Sequence, residues 1–410
     1  NYTEIYEIIK DVVDGNLSEI EITSFVTALH EQGMNMDEIT SMTIAMVNTG
    51  KKLELNNKII VDKHSIGGVP GDKTSLLIVP ILAAAGFTIP KTSSRAITSA
   101  GGTADKAEVL MPVEFNIQEM KRIVEKTGGC FVWGGALQLA PADDIFIQVE
   151  YPLLIDPIML PSIMSKKKAT GTTNLLIDIP TGRGTKIKTI EEAKLIAKDF
   201  IEIGNRIGIK TQCALTYGEQ PIGHTIGPAL EAKEALEILM NKNNVSEQIE
   251  KVLDLSGILF EMIGKENGRE IAAEILRSGK AEKKMRQIIF EQGGNSEITP
   301  DQIKIGEYKL DIKSEESGTV LWIDNNELVE IARAAGAPKD KEAGIYMHKK
   351  LNDNIKKNDI IFTVYTKKQK KIQTVKNYLK NNKIYGIADR REMLIDRVKE
   401  TPNYTKAFIV

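Results

Sequence analysis

The stretch "KHSIGGVPGDKTS", Lys63 to Ser75, lies between the apolar runs "KIIVD" and "LLIVPILAAAG". That is where a strand hands over to a helix. Glycines let several backbone N–H groups converge, and the helix N-terminus that follows adds a dipole favouring an anion. The stretch therefore reads as a phosphate cradle, with a plain structural turn as the alternative for this loop taken alone. A P-loop would need a glycine directly before its Lys-Ser/Thr pair. Asp72 stands there instead, and a carboxylate at that point repels a triphosphate.

Outward from this stretch, the runs "KIIVD", "FTIPKTSS", "GCFVWGG", "NLLIDIP" and "IKTQCAL" alternate with helical segments. Such spacing predicts a mostly parallel sheet buried on both faces, with ligands bound outside the carboxyl ends of its strands. The first fifty residues carry three helical patterns ended by Gly15, Gly33 and Gly50, and "SEIE" and "NMDE" each place a capping residue three before a Glu. After Pro300, alternating patterns such as "IKIGEYKLDIK" and "DIIFTVYT" predict a C-terminal α+β domain.

The chain of 410 residues is 42% hydrophobic, enough for two or three domains. Its 54 basic and 56 acidic residues, net charge −2, give no global field for a nucleic acid polymer. Cys130 and Cys213 show neither zinc nor disulfide spacing, so a cytoplasmic setting is expected. "LLIVPILAAAG" is too short to cross a bilayer, and no membrane partner is expected.

The second polar loop, "TSSRAITSAGGTADKAEVL" from Thr92 to Leu110, places hydroxyls, an arginine and paired glycines after the run "FTIPK". Two such loops on consecutive strands face one another across a crevice. Here the chain resembles the thymidine/pyrimidine-nucleoside phosphorylase family, through Ser93-Ser94-Arg95, Gly101-Gly102-Thr103-Ala104-Asp105 and Glu108. "DKHS" (62–65), "LAPAD" (139–143), "SIMSKK" (162–167) and "QPIGHTIGPALEAKEAL" (220–236) extend the resemblance along nearly the whole chain. The wording "SIGGVPG" and "KTSSRAITS" is similar to the archaeal AMP phosphorylase branch, although Ala100-Gly101 stands where that branch reads Pro-Ala.

The resemblance implies an α/β protein in three parts: a helical domain (1–60 and 158–186) across a cleft from an α/β domain (61–157 and 187–300), then the α+β domain (301–410). It implies a phosphate site of Lys63, Ser65, Ser75, Ser93 and Thr103. It places Gly68, Ser94, Arg95, Ala96, Ile97, Thr98, Ser99, Thr103, Ser162 and Lys186 around AMP, with Lys166 beside the base. His64 lies in the cradle, where it could donate a proton or orient a loop. Asp156 in "LLIDP" reads by itself as a helix N-cap before Pro157. By resemblance it protonates the departing adenine, and apolar surroundings would keep its proton available.

The implied reaction is phosphorolysis of AMP to adenine and ribose 1,5-bisphosphate, with inorganic phosphate as co-substrate and no metal or organic cofactor. Pyrimidine enzymes of the family grip the base with an arginine after "LAPAD". No Arg or Lys stands between Ala140 and Ser165, which favours adenine. A pyrimidine-nucleoside phosphorylase and a non-catalytic nucleotide-binding regulator are the alternatives. A homodimer or larger homo-oligomer is expected, and the AMP branch carries a further N-terminal domain that would precede Asn1.

Overall fold

The structure is a computed structural model describing residues 1–96, 99–380 and 382–388. Three helices open it, α1 (Tyr2–Asp14), α2 (Glu19–Gln32) and α3 (Met36–Asn48). Each begins on a capping box: the Ser18 N–H donates to Glu21 at 2.8 Å and the Asn35 N–H to Glu38 at 2.9 Å, while their side chains accept in return. A cap is worth about 1 kcal/mol, enough to fix where a short helix starts.

Five parallel strands follow, β1 (Val61–Ser65), β2 (Ile89–Ser93), β3 (Gly129–Trp133), β4 (Asn174–Thr181) and β5 (Lys210–Tyr217). β1 pairs with β4, β4 with β5 and β2 with β3. An Ile60–Thr88 bridge joins the two ladders beside β1, giving the order β3-β2-β1-β4-β5. The order reverses about β1, and that is where such sheets open a ligand crevice. The strand expected at "KIIVD" sits further along. Its register with β4 carries pairing through Lys63 opposite Leu176 to Ser65 opposite Asp178, so Lys63 and Ser65 stand on the strand itself.

The connecting helices are α4 (Thr74–Ala84), α5 (Thr103–Ala107), α6 (Ile117–Thr127), α7 (Pro141–Leu153), α8 (Met159–Ala169), α9 (Ile190–Ile207), α10 (Pro228–Leu239), α11 (Ser246–Met262), α12 (Gly268–Arg277) and α13 (Lys280–Glu291). α4 has no polar face and is buried from Thr74 to Ala83, as a helix apolar all round must be. Leu76 and Leu77 share one core with Val61, Leu236, Leu259 and Ile288. Across the sheet, Ile177 and Ile179 of β4 pack with Met164, Phe200 and Ile203.

The helical part gains a member. Ala142, Phe146 and Val149 of α7 bury against Ile9, Val26 and Met46, so α7 belongs with α1–α3 rather than with the α/β domain to which residues up to 157 were assigned. Its apolar stripe finds the cover there that the sheet does not offer it.

The C-terminal domain contains β7 (Tyr308–Lys313), β8 (Gly318–Ile323), α14 (Asn325–Ala335), β9 (Gly344–Met347), β10 (Asn354–Ile355), β11 (Ile360–Thr366), α15 (Gln369–Leu379) and β12 (Tyr385–Ala388). One of its sheets has the order β10-β8-β12. The other, β6-β9-β11-β7, takes β6 (Thr225–Ile226) from before α10. Main-chain pairing therefore fuses this domain to the α/β domain across the boundary expected at 300. The join is tight: a Cβ on Gly227, whose φ is 112°, would stand 2.5 Å from the Ala343 oxygen. Among the described residues no helix is long and apolar enough to cross a membrane.

Candidate active site

The ends of β1 and β2, with the loops after them, enclose a cavity of about 200 Å³. Lys63, His64, Ser65, Gly68, Ser75, Ser93, Ser94, Ser99 and Thr103 all line it. Nine expected residues thus come from four separate segments to one wall. The Ser93 hydroxyl is buried there without a partner. A buried hydroxyl with nothing to bind costs free energy unless a ligand supplies the bond, so this atom marks a polar ligand site.

The second loop is held by Asp105, whose Oδ2 accepts the N–H groups of Ala96 at 2.7 Å and Gly102 at 2.8 Å. Gly102 is required: a Cβ there would meet the Ser94 oxygen at 2.7 Å. Thr103 then opens α5 and faces the cavity.

Charge beneath the cavity is balanced in blocks. Lys63 Nζ lies 3.1 Å from Asp178 Oδ2 and 3.8 Å from Asp72 Oδ2, and Lys251 Nζ lies 2.9 and 3.5 Å from the same two atoms. Burial disfavours the Asp72 charge, but Lys251 and then Lys63 outweigh it and hold the carboxyl well below the usual range. Asp72 is therefore half of a buried double pair and not a bare repulsive charge. Lys106 pairs with Glu231 at 2.6 Å in the same wall.

Lys91, also in the wall, shares Asp62 with Lys167: the two Nζ–O distances are 3.2 and 2.5 Å. Two lysines on one carboxylate leave a surplus positive charge. Burial, opposed by Asp62 and reinforced by Lys167 and Lys63, lowers Lys91 to about 7. Burial and then Lys167, Lys91, Lys166 and Lys63 push His64 well below the ordinary histidine value. At neutral pH its imidazole is uncharged, which suits hydrogen bonding better than proton donation.

Six of the expected residues that are described, Lys186 among them, fall outside the cavity. Arg95 donates to Glu108 at 2.6 and 2.7 Å and to Glu114 at 2.8 Å, with its guanidinium 5.0 Å from the Trp133 ring centre. It braces the loop and is not free to grip AMP. Lys166 is paired with Asp143 and Ser162 lies a turn earlier on α8. Asp156 is neither in apolar surroundings nor a helix cap. α8 starts at Met159 without a side-chain cap, and the Asp156 carboxylate, 47% exposed, pairs with Lys186 at 3.2 Å. The Ala96 N–H, given to Asp105, is likewise unavailable to AMP. Ile97 and Thr98 lie outside the described residues.

Asp178, Lys251, Lys91, Lys106 and Glu231 escape a motif-based reading. For Asp178 a signal exists, a carboxylate inside the apolar run "NLLIDIP". Glu150 also escapes it: burial, then the Asp156 charge, pushes its carboxyl up to about 7.

The bundle and the parallel sheet, with a hydroxyl-lined cavity at its strand ends, are the two parts of a glycosyl transferase family. The model of the glycosyl transferase family a/b domain matches residues 57–282, and its helical bundle domain matches residues 1–50. The pyrimidine nucleoside phosphorylase C-terminal domain matches residues 319–386. Anthranilate phosphoribosyltransferase from Thermus thermophilus superposes with a TM-score of 0.60 over 71% of this chain and 95% of its own, at 19% identity, a likeness of fold alone.

The AMP phosphorylase of Thermofilum pendens is 55% identical over 401 residues, 97% of this chain and 78% of that one. Those of Thermococcus kodakarensis and Pyrococcus furiosus are 55% and 53% identical over 374 residues, each match covering 90% of this chain and 74% of theirs. The chain belongs to the AMP phosphorylase family.

Proposed function

We propose that this protein is a pentosyltransferase that cleaves AMP with inorganic phosphate, giving adenine and ribose 1,5-bisphosphate. The observation that carries the reading is the cavity at the ends of β1 and β2, with its unpartnered Ser93 hydroxyl, in a chain 55% identical to an AMP phosphorylase. A tetrahedral oxyanion suits that wall. Ser65, Ser75, Ser93 and Thr103 offer hydroxyl donors, Lys63 offers an ammonium group, and Lys91, lowered to about 7, offers an amine that takes up a proton readily beside an anion.

In this reading a phosphate oxygen attacks C1′ of the ribose as the bond to the adenine nitrogen breaks, and the departing base takes a proton. Holding nucleophile and sugar in line accounts for much of the acceleration. Asp156 is assigned as the proton donor, and Gly68, Ser94, Ser99, Ser162 and Lys186 as AMP contacts. Because Asp156 is half exposed in the free protein, the assignment requires the helical side to approach the cavity when AMP binds. Ser162 and Lys166, on the same side, then reach the base. Assembly as a homodimer or larger oligomer belongs to the same reading, supported by Tyr2 and Ile20, which stay exposed on α1 and α2.

The test is release of free base from AMP, adenosine, CMP, UMP, uridine and thymidine, with and without phosphate. Phosphate-dependent release of adenine from AMP, at least about a hundredfold faster than from adenosine, is expected, since binding energy at the remote 5′-phosphate is used at the reacting carbon. Equal rates on uridine and thymidine would return the chain to the pyrimidine enzymes. No release from any of them would make it a nucleotide-binding regulator.

A further inference from the structure

Asp156 and Lys186, both assigned to the reacting nucleotide, are bound to each other. The Lys186 ammonium donates to Asp156 Oδ2 at 3.2 Å, and the two side chains are 48% and 47% exposed. They come from opposite sides of the site. Asp156 follows α7, which is packed into the helical core, whereas Lys186 lies on the loop between β4 and α9.

That loop is closed by its own main chain, the Gly182 N–H donating to the Ile187 oxygen and the Thr185 N–H to the Gly182 oxygen, both at 3.2 Å, and it is flanked by the C-terminal domain. The Arg183 guanidinium lies 4.6 Å from the Trp322 ring centre, and Asn325 of α14 donates to the Gly218 oxygen at 2.8 Å while lying against Gly184. On the other flank the Lys186 nitrogen is so close to Gly68 that a Cβ there would stand 2.7 Å from it. With the backbone held on both flanks, Lys186 changes partner by swinging its side chain. Its ammonium has three donors and no acceptor, so its partners are acceptor oxygens, and it binds anionic ones most strongly.

We propose that the Lys186–Asp156 pair is a latch which the 5′-phosphate of the substrate opens, drawing the lysine away and freeing the Asp156 carboxyl to face the leaving base. The inference rests on the AMP reading above and adds how recognition at one end of the nucleotide is tied to chemistry at the other. Competition favours the substrate. An exposed lysine–carboxylate pair is worth about a fivefold factor or less, whereas a phosphate monoester brings nearly two charges and three acceptor oxygens. Adenosine has no such group, so it leaves Lys186 on Asp156 and the acid occupied. Once unpaired, the Asp156 carboxylate takes a proton from solvent. In the catalytic step that proton passes to the adenine nitrogen as the C1′–N bond breaks, and the carboxylate left behind pairs with Lys186 again after release.

The experiment compares AMP and adenosine phosphorolysis in the wild type, Lys186→Met, Asp156→Asn and the double variant. Methionine keeps an unbranched stem and removes the ammonium. The expected result is a fall of about a hundredfold in kcat/KM for AMP, from loss of a charge-assisted contact to the 5′-phosphate. Adenosine kcat/KM should rise by up to about fivefold, and that rise should vanish in the Asp156→Asn background. Independently of any variant, wild-type turnover of adenosine should increase with ionic strength, because salt screens an exposed pair. Adenosine turnover that is unchanged, absent or lower in Lys186→Met, with AMP turnover reduced, overturns the latch and leaves Lys186 as a phosphate ligand only. A wild type inactive on AMP overturns the reaction reading and the latch with it, a failure distinct from the first.

Discussion

On the wall formed by β1 and β2 the ionic groups are buried and answer one another: Lys63 and Lys251 face Asp72 and Asp178, and Lys106 faces Glu231. On the helical side Asp156 is half exposed and its ion pair with Lys186 is open to water. The first region is rigid for an electrostatic reason. Each of its charges is costly to bury alone, so removing any one leaves a buried charge that is no longer balanced. The second region can exchange partners cheaply, since an exposed pair contributes at most about 1 kcal/mol. On the proposed reading, these two kinds of pairing give a preassembled cradle for phosphate and an adaptable wall for the nucleotide.

The largest effect expected from this contrast is on turnover, at Asp156. Asp156→Asn keeps size and hydrogen bonding but cannot deliver a proton, so kcat for AMP should fall by about 10² to 10⁴. The thermal midpoint should stay where it was, because the carboxyl caps no helix and is half exposed. A folded Asp156→Asn protein with near-normal kcat would remove the acid assignment and turn attention to Glu150, whose carboxyl burial and the Asp156 charge push up to about 7.

Within the cradle the same comparison separates two residues that a motif cannot tell apart. Lys63→Met leaves two buried carboxylates, Asp178 and Asp72, to share Lys251 alone, and the protein should lose about 3 kcal/mol of stability as well as phosphate affinity. Ser93→Ala removes a hydroxyl that has no partner in the free protein. Its unfolding curve should match the wild type, while kcat/KM for phosphate drops about tenfold, the worth of one hydrogen bond to a charged group. A destabilised Ser93→Ala, or a fully stable Lys63→Met, would mean that the wall is not organised as described.

How far these roles can be read without coordinates depends on distance along the chain. Local chemistry is legible: "SEIE" and "NMDE" mark helix starts, and α4 declares its burial by having no polar face. So is the convergence of the glycine loop and the Ser93–Thr103 segment, because both follow strands that are neighbours in the sheet. Partnerships between remote segments are not. Arg95 stands in a ligand-like motif, yet Glu108 and Glu114 occupy its guanidinium. α7 reads as part of the α/β segment until its apolar stripe is seen against α1–α3. Lys251 lies on an ordinary amphipathic helix, and only the fold brings it to Asp178.

The smallest effect concerns the surplus charge at Lys91. Burial is the main cause that lowers this lysine to about 7, against Asp62, which favours its charge; an ordinary lysine titrates near 10.4. The unfolded chain therefore binds more protons than the folded one between about pH 7 and 10.4, and stability must rise with pH through that window. Below it both states carry the proton and the contribution is flat. Facing Lys91 are Asp62 and Lys63 on β1, Cys130 on β3 and Lys167 on α8. Lys91→Met leaves Asp62 with Lys167 at 2.5 Å, so the pair survives while the titrating amine is gone. Urea unfolding in phosphate-free buffer at pH 7 and pH 8 should show the wild type gaining about 1 kcal/mol more than Lys91→Met over that single unit. Equal gains in the two proteins would mean that Lys91 is charged throughout, and that the cradle holds a permanent surplus cation before phosphate arrives.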